Sequence, residues 1–410
     1  MIGGDNFVAA VDVGATKTAV VLLGLPNAWD AGGELPEVLG SGLVPTEGVR
    51  NQAVTNIEAA TASIRQAVRD AEEMSGLEVR SVYASLSGTH VDVGGSNGVV
   101  AISDPEVAEE DVDRVHEVAR AIALPPDKEL IHAIPVDYSV DGRSGIQDPV
   151  GMSATRLETQ VCVITAGLTV CQNLRKAVDR AGLVTDGLVL GSLATAEAVL
   201  AAQERRAGVA LIQIGGGATE VIVFKDERLR LLASYPWGSD TVSNDIIKGL
   251  GVSSATAEAL KRRHGVARTA NVDASENIQI PGPTPDRTRE VSRELLAHII
   301  EQRLDEILGL VYEELAERSL LDDLPAGAVL TGGGAMLDGT LELAQDVFNM
   351  PVQLGIPGAG LTGPVEAIRS PRYATAVGLA LYGQRSEMGK GPGMAGRTLA
   401  RVTDWLRDFF

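Results

Sequence analysis

The sequence predicts an α/β protein made of two similar halves. A compact subdomain is inserted in the first half, and a flexible tether holds an amphipathic helix at the C-terminus. Three observations predict this class. A strand-turn-strand pattern recurs at about half the chain length, a self-contained set of elements interrupts the first half, and a glycine-rich stretch precedes a final stripe of apolar residues.

The internal repeat relates residues 8–23, VAAVDVGATKTAVVLL, to residues 209–224, VALIQIGGGATEVIVF. Each copy reads as an apolar strand, a glycine-rich turn containing a threonine, and a second apolar strand. Two matched hairpins at this separation predict two half-domains that each open with a β-hairpin. Two pairs of residues hold equivalent positions in the copies: Asp12 with Gln213, and Gly14 with Gly215.

The other elements of the first half follow from apolar spacing and turn residues. Apolar residues at helical spacing predict an amphipathic helix over residues 51–74. The segment 90–103 predicts two short strands around a Gly-Gly-Ser-Asn-Gly turn, and Asp104-Pro105 predicts the start of the next helix. Further predicted elements are strands at 79–88, 129–142 and 159–166 and a helix at 168–182.

The second half ends in three recognisable segments. Residues 286–319 predict one long helix with alternating charge, and residues 326–337 predict an apolar strand that runs into three glycines and then a helix. Residues 384–396, QRSEMGKGPGMAG, contain four glycines and a proline without periodicity. They predict a flexible tether that spans roughly 20 Å as a glycine-rich coil.

The last 14 residues, 397–410, form an amphipathic pattern. Arginine and aspartate residues occupy most of the face opposite the apolar stripe, and aromatic residues beside arginines are typical of a helix that lies in a membrane interface. The alternative is a helix that docks on its own domain, which the loose tether disfavours. The apolar stripe consists of Leu399, Val402, Trp405, Leu406, Phe409 and Phe410.

Composition excludes several classes of function. The chain carries 35 Lys and Arg against 55 Asp and Glu, a formal net charge of −20, whereas a nucleic-acid partner requires a basic face. The N-terminus has no basic segment before a long apolar run, so a signal peptide is not predicted, and no apolar stretch is long enough to span a membrane. These features predict a soluble, cytoplasmic protein without a nucleic-acid partner.

Three glycine-rich turns contain the candidate ligand-binding residues. In the first, Asp12 precedes the turn, where a carboxylate can hold Mg²⁺ through water, and Thr16 and Lys17 can reach a phosphate. In the second, Gly215–Gly217 allow the backbone N–H groups to approach phosphates from the opposite side. The third, Gly332–Gly334, allows the backbone to lie against a planar base.

These residues resemble a known superfamily. VDVGATKT, IQIGGGATE and VLTGGGAMLDG match the two phosphate motifs and the adenosine motif of the actin, Hsp70 and sugar-kinase superfamily. Within it the chain resembles the FtsA family of actin-like bacterial cell-division proteins. The further segments that match this family, in the same order, are VYASLSGTHV, HAIPVDYSVDG, GIQDPVGMSATRLE, SNDI, AEALKRRHG and SPRYATAVGLALYG.

The resemblance implies an actin-like fold with bound ATP and Mg²⁺, the metal held by Asp12 through water. Glu258 and Lys261 would approach the ribose and base, although a solvated helical charge pair is the alternative from spacing alone. The implied ATP-binding residues are Asp12, Gly14, Ala15, Thr16, Lys17, Gly215, Gly216, Gly217, Thr219, Glu258, Lys261, Gly332, Gly333 and Gly334.

The chain departs from the superfamily pattern at Gln213, where the second phosphate motif usually begins with Asp, and the later acid of that motif is Glu220. A glutamine can hydrogen-bond a water molecule but has no charge, so it cannot replace a carboxylate as a base or a Mg²⁺ partner. We therefore expect no catalytic residue here and an ATP-binding protein that hydrolyses ATP slowly or not at all. Gln213→Asp should raise turnover with little change in affinity.

The resemblance also implies a subdivision in the nomenclature of the family. The implied ranges are subdomain 1A over 1–85, 161–206 and 358–383, the inserted subdomain 1C over 86–160, subdomain 2A over 207–237 and 311–357, subdomain 2B over 238–310, the linker over 384–396 and the membrane-targeting helix over 397–410.

The function that the resemblance implies is that of an adaptor rather than an enzyme. It would form actin-like filaments, bind the C-terminal tail of FtsZ through 238–310, and recruit later division proteins through 86–160. It would sit peripherally on the cytoplasmic face of the membrane at the division site. Arg303 is the candidate contact for the acidic FtsZ tail. The alternatives are a sugar or small-molecule kinase and a pilus-assembly actin homologue.

Overall fold

Two five-stranded sheets form the centres of the two halves in the computed structural model, which describes residues 7–25, 35–281 and 287–388. The strands are β1 (Phe7–Val13), β2 (Lys17–Gly24), β3 (Glu37–Pro45), β4 (Val49–Arg50), β5 (Ala53–Val54), β6 (Ser81–Leu86), β7 (Val91–Ala101), β8 (Lys128–Val140), β9 (Arg143–Ile146), β10 (Arg156–Gly167), β11 (Val184–Leu190), β12 (Val209–Ile214), β13 (Thr219–Lys225), β14 (Arg228–Tyr235), β15 (Asn277–Pro281), β16 (Thr288–Ser292), β17 (Ala328–Thr331) and β18 (Val352–Leu354). The helices are α1 (Ile57–Ser75), α2 (Glu109–Arg120), α3 (Leu168–Arg180), α4 (Gly191–Val199), α5 (Ala202–Ala207), α6 (Ser239–Leu250), α7 (Ser254–His264), α8 (Arg293–Glu317), α9 (Thr340–Phe348) and α10 (Ala374–Met388).

The two central sheets have the same topology. The first runs β3-β2-β1-β6-β11 and the second runs β14-β13-β12-β17-β18. In each, the first two pairings are antiparallel and the last two are parallel. The predicted duplication of an α/β unit is therefore confirmed.

Each central sheet is covered on both faces, which explains the continuous apolar runs of its hairpin strands. Along β1, Val8 and Ala10 pack in the cluster that contains residues of α4 and α10, whereas Ala9 and Val11 pack in the cluster that contains residues of α1 and α3. Because both faces are buried, β1 and β2 are held rigidly and the turn between them has a defined position.

The inserted subdomain lies between β6 and α3. Its four strands form an antiparallel sheet in the order β7-β10-β8-β9, and α2 packs on this sheet. The prediction of two short strands around a glycine turn was wrong: β7 is continuous and pairs with β10 along its whole length. Gly98 does not turn the chain. A side chain there would meet the Val115 carbonyl oxygen of α2 at 2.1 Å, so the glycine allows the helix to approach the strand.

Helix α2 begins at Glu109 rather than at the predicted Asp104-Pro105. The residues before it are tied to another segment, because the Val107 N–H donates to the Met152 carbonyl at 2.9 Å. The helix start is fixed instead by Asp111, whose carboxylate accepts from the Ala108 N–H at 2.9 Å.

Two further helix predictions were too long. Residues 51–54 form the turn and second strand of the hairpin β4–β5, so α1 starts at Ile57 after the N-cap Asn56. Residues 288–292 form β16, which pairs with β15, so the long helix starts at Arg293. In both places, residues that continue the helical spacing of apolar side chains in the sequence instead pair with a neighbouring strand.

Helix α10 extends five residues into the segment predicted as a flexible tether, because Gln384 is buried and donates to the Gly24 carbonyl at 3.2 Å. The remainder of that tether and the predicted amphipathic helix 397–410 lie outside the described residues. Within the described residues, no helix is both long and apolar enough to cross a membrane.

Candidate functional site

A cavity of about 370 Å³ lies between the two halves, where the turns of both hairpins meet. All the predicted nucleotide-binding residues except Thr219 line it. The lining residues that were predicted are Asp12, Gly14, Ala15, Thr16, Lys17, Gln213, Gly215, Gly216, Gly217, Glu258, Lys261, Gly332, Gly333 and Gly334. The duplication thus brings together residues that are some two hundred positions apart in the chain.

The two hairpin turns have the same internal hydrogen bond. The Gly14 N–H donates to the Lys17 carbonyl at 2.9 Å, and the Gly215 N–H donates to the Ala218 carbonyl at 2.9 Å. In the second turn the carbonyls of Gly215 and Gly216 accept from the first N–H groups of α6. Each turn is therefore held by its own carbonyl groups and by its neighbours, which leaves N–H groups available at its tip.

The N–H groups at the tips of the turns are suited to an anion. In the described part of the chain, nothing accepts a hydrogen bond from the N–H of Ala15, Thr16, Gly216 or Gly217. Successive free N–H groups in a tight turn form a concave site for phosphate oxygens. The two turns supply such groups to one cavity from opposite sides.

Asp12 is fixed at the base of the first turn by two partners. One carboxylate oxygen forms an ion pair with Lys17 Nζ at 2.5 Å, and the other accepts from Ser85 Oγ at 2.7 Å. Both side chains of the ion pair are largely buried. With both oxygens occupied, Asp12 suits a metal ion held through water better than one bound directly.

Gln213 occupies the equivalent position in the second half. Its Oε1 accepts from Thr195 Oγ1 of α4 at 2.7 Å, and its Nε2 donates to Thr375 Oγ1 at the start of α10 at 3.1 Å. The glutamine amide matches both hydroxyl groups and is held in one orientation. At this position the cavity has a neutral, oriented amide in place of a carboxylate.

Glu220 is the second acid of the site. It is buried, and its Oε1 accepts from the Gly88 N–H at 2.9 Å. Burial raises the pKa of its carboxyl to about 7, and the nearby Asp12 charge adds to this rise. The carboxyl of Glu220 therefore changes charge near neutral pH, which is unusual for a glutamate.

Lys261 and Glu258 form the far wall of the cavity on α7. Lys261 Nζ is 2.7 Å from a Glu258 carboxylate oxygen and also donates to Ser243 Oγ at 2.8 Å and to the Ser239 carbonyl at 3.0 Å. Burial opposes ionisation of Glu258, but the hydrogen bonds from Lys261, Ser243 and Arg262 outweigh it and lower the pKa of its carboxyl. The pair is thus a built part of the cavity wall and not a solvated surface pair.

The structure places two predicted residues elsewhere. Thr219 is fully buried and donates from Oγ1 to the Trp237 carbonyl at 2.8 Å, so its side chain supports the second turn from behind. Arg303 lies on α8, where its Nε is 2.5 Å from Asp245 of α6 and its Nη1 is 2.5 Å from Glu306. About a quarter of the Arg303 side chain (23%) is exposed, and two carboxylates already neutralise it.

Several cavity residues were not predicted from the sequence. Gln52 from the β4–β5 hairpin, Ser87 after β6, and Arg372 and Thr375 around the start of α10 all line the cavity. Gln52 lies in the two-residue turn of this hairpin. The turn was not recognised from the sequence because residues 51–74 were assigned to one helix from their apolar spacing. No described group of three or more His, Cys, Asp or Glu residues is arranged as a metal site.

The fold and the cleft define an actin-like protein: two duplicated α/β halves whose opening hairpins face each other. The structure resembles the PilM-PilN type IV pilus biogenesis complex, with a TM-score of 0.65 and 18% identity over 92% of this chain and 98% of the other. It also resembles MreB5 of Spiroplasma citri bound to ADP, with a TM-score of 0.54 and 12% identity over 95% and 100% of the two chains. At these identities the similarity concerns the fold.

Sequence comparison gives the family. The model described as cell division protein FtsA matches residues 210–378, and the model of the SHS2 domain inserted in FtsA matches residues 88–165. The chain is 38% identical to cell division protein FtsA of Pseudomonas aeruginosa over 93% of this chain and 90% of the relative. It is 36% identical to FtsA of Neisseria meningitidis over 99% of both chains. The chain therefore belongs to the FtsA family of cell-division proteins, so the family that the sequence motifs indicated is confirmed.

Proposed function

We propose that this chain binds ATP with Mg²⁺ in the cleft between its halves. We propose further that it acts as a polymerising adaptor that attaches FtsZ to the cytoplasmic face of the membrane at the division site. The observation that carries the nucleotide proposal is the pair of duplicated turns that present free N–H groups to one cavity from both sides. The ADP-bound MreB5 structure, which shares the fold, supports the same reading.

The cavity fits a nucleotide in one orientation. Phosphates suit the end formed by the two turns and Lys17, where the donors are concentrated. Adenosine suits the other end, where Gly332–Gly334 and the Glu258–Lys261 pair form the walls. Asp12 would hold Mg²⁺ through water, and the ion would neutralise part of the phosphate charge.

Slow ATP hydrolysis is expected because residue 213 is a glutamine, and a substitution at this position tests that expectation. Gln213→Asp replaces the amide, which Thr195 and Thr375 hold in wild type, by the carboxylate that the second phosphate motif usually has at this position. We expect ATP turnover to rise by at least about tenfold, because a carboxylate can act as a base and as a Mg²⁺ partner, while ATP affinity changes little. Phosphate release under single-turnover conditions measures this. Gln213→Glu, which also adds a carboxylate but one methylene longer, is the matched control for position, and equal rates in wild type and Gln213→Asp would refute the idea.

Membrane attachment is proposed for the final segment, 397–410, whose apolar stripe ends in Phe409 and Phe410. Burial of that stripe in a lipid interface is worth roughly 5–8 kcal/mol before ordering costs, so one copy is a reversible anchor. Several copies in a filament would bind far more tightly, which links attachment to ATP-dependent polymerisation.

Co-sedimentation with liposomes tests this adaptor function. We expect the full chain to pellet with lipid, and more so with ATP and Mg²⁺, whereas a chain that ends at Gly396 stays in the supernatant. The variant Trp405→Glu, which keeps the length but interrupts the apolar stripe, should behave like the truncated chain. If the full chain and both variants all stay in solution, membrane attachment by this segment is wrong.

For the FtsZ tail we propose the surface of residues 238–310, and for later division proteins the inserted subdomain 86–160. Arg303 forms ion pairs with Asp245 and Glu306. It would bind an acidic tail only if carboxylates of the tail replaced these two partners. Lys248 on the neighbouring helix is a second candidate contact, since 79% of its side chain is exposed.

A further inference from the structure

Gln52 occupies a strained position beside the cleft. It is the second residue of the two-residue turn between β4 and β5, and both turn residues have left-handed backbone angles, with φ of 48° at Asn51 and 58° at Gln52. A turn of this kind favours Asn followed by Gly, because only glycine adopts the second conformation without steric penalty. The first residue follows this preference and the second does not.

The side chain of Gln52 extends between two glycine-containing loops at the phosphate end of the cavity. A methyl group added at Gly217 would lie 2.4 Å from Gln52 Nε2 and 3.3 Å from the Cβ of Ala15. One added at Gly88 would lie 2.7 Å from the Cβ of Gln52. Gln52 therefore lies beside Gly217 of the second phosphate turn, close to where that turn meets Ala15 of the first.

The amide nitrogen of Gln52 is buried there without a partner. Within the described residues, no acceptor lies within hydrogen-bond reach of Nε2, and the atom is shielded from solvent. A buried donor without an acceptor is unfavourable, as is a left-handed glutamine, and both penalties fall on the same residue. Such a combination is expected where a ligand completes the arrangement.

The ligand atom that suits this position is an oxygen of a terminal phosphate. Nε2 is a donor, and Gln52 lines the cavity together with both turns and Lys17, at the end that we assign to the phosphates. A γ-phosphate extends furthest from the adenosine, so we expect it to reach this donor and a β-phosphate to end short of it. The competing acceptor is a water molecule in a smaller cavity of about 40 Å³ that Gln52 lines with Asp12, Ser85 and Ser87.

We propose that Gln52 donates a hydrogen bond from Nε2 to the terminal phosphate of a nucleoside triphosphate, and that it thereby makes the cleft favour triphosphate over diphosphate. This rests on the nucleotide binding proposed above. It gives the first half of the protein a side chain that responds to the presence of the third phosphate.

Isothermal titration of the full chain with ADP and with a non-hydrolysable ATP analogue, both with Mg²⁺, tests the proposal in wild type and in Gln52→Gly. We expect Gln52→Gly to reduce the affinity for the ATP analogue relative to ADP by about tenfold, the usual effect of one hydrogen bond to a charged group. Its thermal unfolding midpoint should be equal to or above that of the wild type, because glycine relieves the backbone strain. Asn51→Gly relieves the same kind of strain in the same turn but keeps the Gln52 side chain, so its affinity ratio should match the wild type.

The outcomes separate this proposal from the one on which it rests. If Gln52→Gly leaves the ratio of the two affinities unchanged, or weakens both nucleotides equally, Gln52 has a structural or water-binding role and the proposal is overturned. If the wild-type chain binds neither nucleotide, the proposed nucleotide binding fails and this proposal fails with it. A loss of affinity for the ATP analogue but not for ADP, seen in Gln52→Gly and not in Asn51→Gly, supports both proposals.

Discussion

Replacing Lys17 by alanine is expected to weaken ATP binding on the order of 100-fold. Lys17 is the only cation that the first turn brings to the phosphate end, and its ammonium group is 2.5 Å from a carboxylate oxygen of Asp12. The substitution removes a positive charge from the phosphates and also leaves the buried Asp12 carboxylate without its cation. The first effect removes an attraction for the polyphosphate, and the second adds a repulsion. Isothermal titration with ATP and Mg²⁺ measures the loss.

Lys248→Ala is the matched control for Lys17→Ala, because it removes the same charge from an exposed side chain. We expect it to leave ATP affinity unchanged. Lys17→Arg should retain part of the affinity, since it keeps the charge but changes the donor geometry. If Lys17→Ala binds ATP as tightly as the wild type, phosphates do not occupy the end of the cavity that we assign to them.

The duplicated hairpins could be predicted from the sequence because the residues that determine each hairpin are close together in the chain. Apolar strands of matched length and glycine-containing turns at Gly14 and Gly215 determine a hairpin without reference to the rest of the chain. The same turn hydrogen bond then occurs in both copies. The cleft follows from the duplication, so most of its glycine-rich wall was predictable as well.

Positions that depend on tertiary partners could not be predicted in the same way. Helical spacing places Arg303 on a helix, but only packing against α6 brings Asp245 to its guanidinium. β7 contains three glycines and reads as a turn, but pairing with β10 along its whole length makes it one strand. Gln52 was hidden for the same reason, because its backbone conformation is set by the pairing of β4 with β5.

Glu220 makes the stability of the folded protein depend on pH. Its carboxyl is buried next to Asp12, and burial raises its pKa from 4.5 to about 7. A raised pKa means that the folded state binds the proton more tightly than the unfolded state does. Below about pH 4.5 Glu220 is protonated in both states and has no effect. As the pH rises from 4.5 to 7 the unfolded chain loses the proton first, so Glu220 progressively destabilises the fold, and above 7 the penalty is complete.

Glu220→Gln should therefore stabilise the protein increasingly as the pH rises. Glutamine keeps an oxygen that accepts from the Gly88 N–H but carries no charge to bury. The rise of the pKa from 4.5 to about 7 corresponds to a gain on the order of 3 kcal/mol in the free energy of unfolding at pH 8, which falls towards zero as the pH approaches 4.5. Urea unfolding of both proteins between pH 5 and 8.5 measures it. Glu78→Gln changes an exposed carboxyl and should show no such trend, since 75% of its side chain is exposed. A difference between Glu220→Gln and wild type that does not change with pH would mean that Glu220 is ionised in the folded protein over this whole pH range. The negative charges of Asp12 and Glu220 would then lie together beside Lys17.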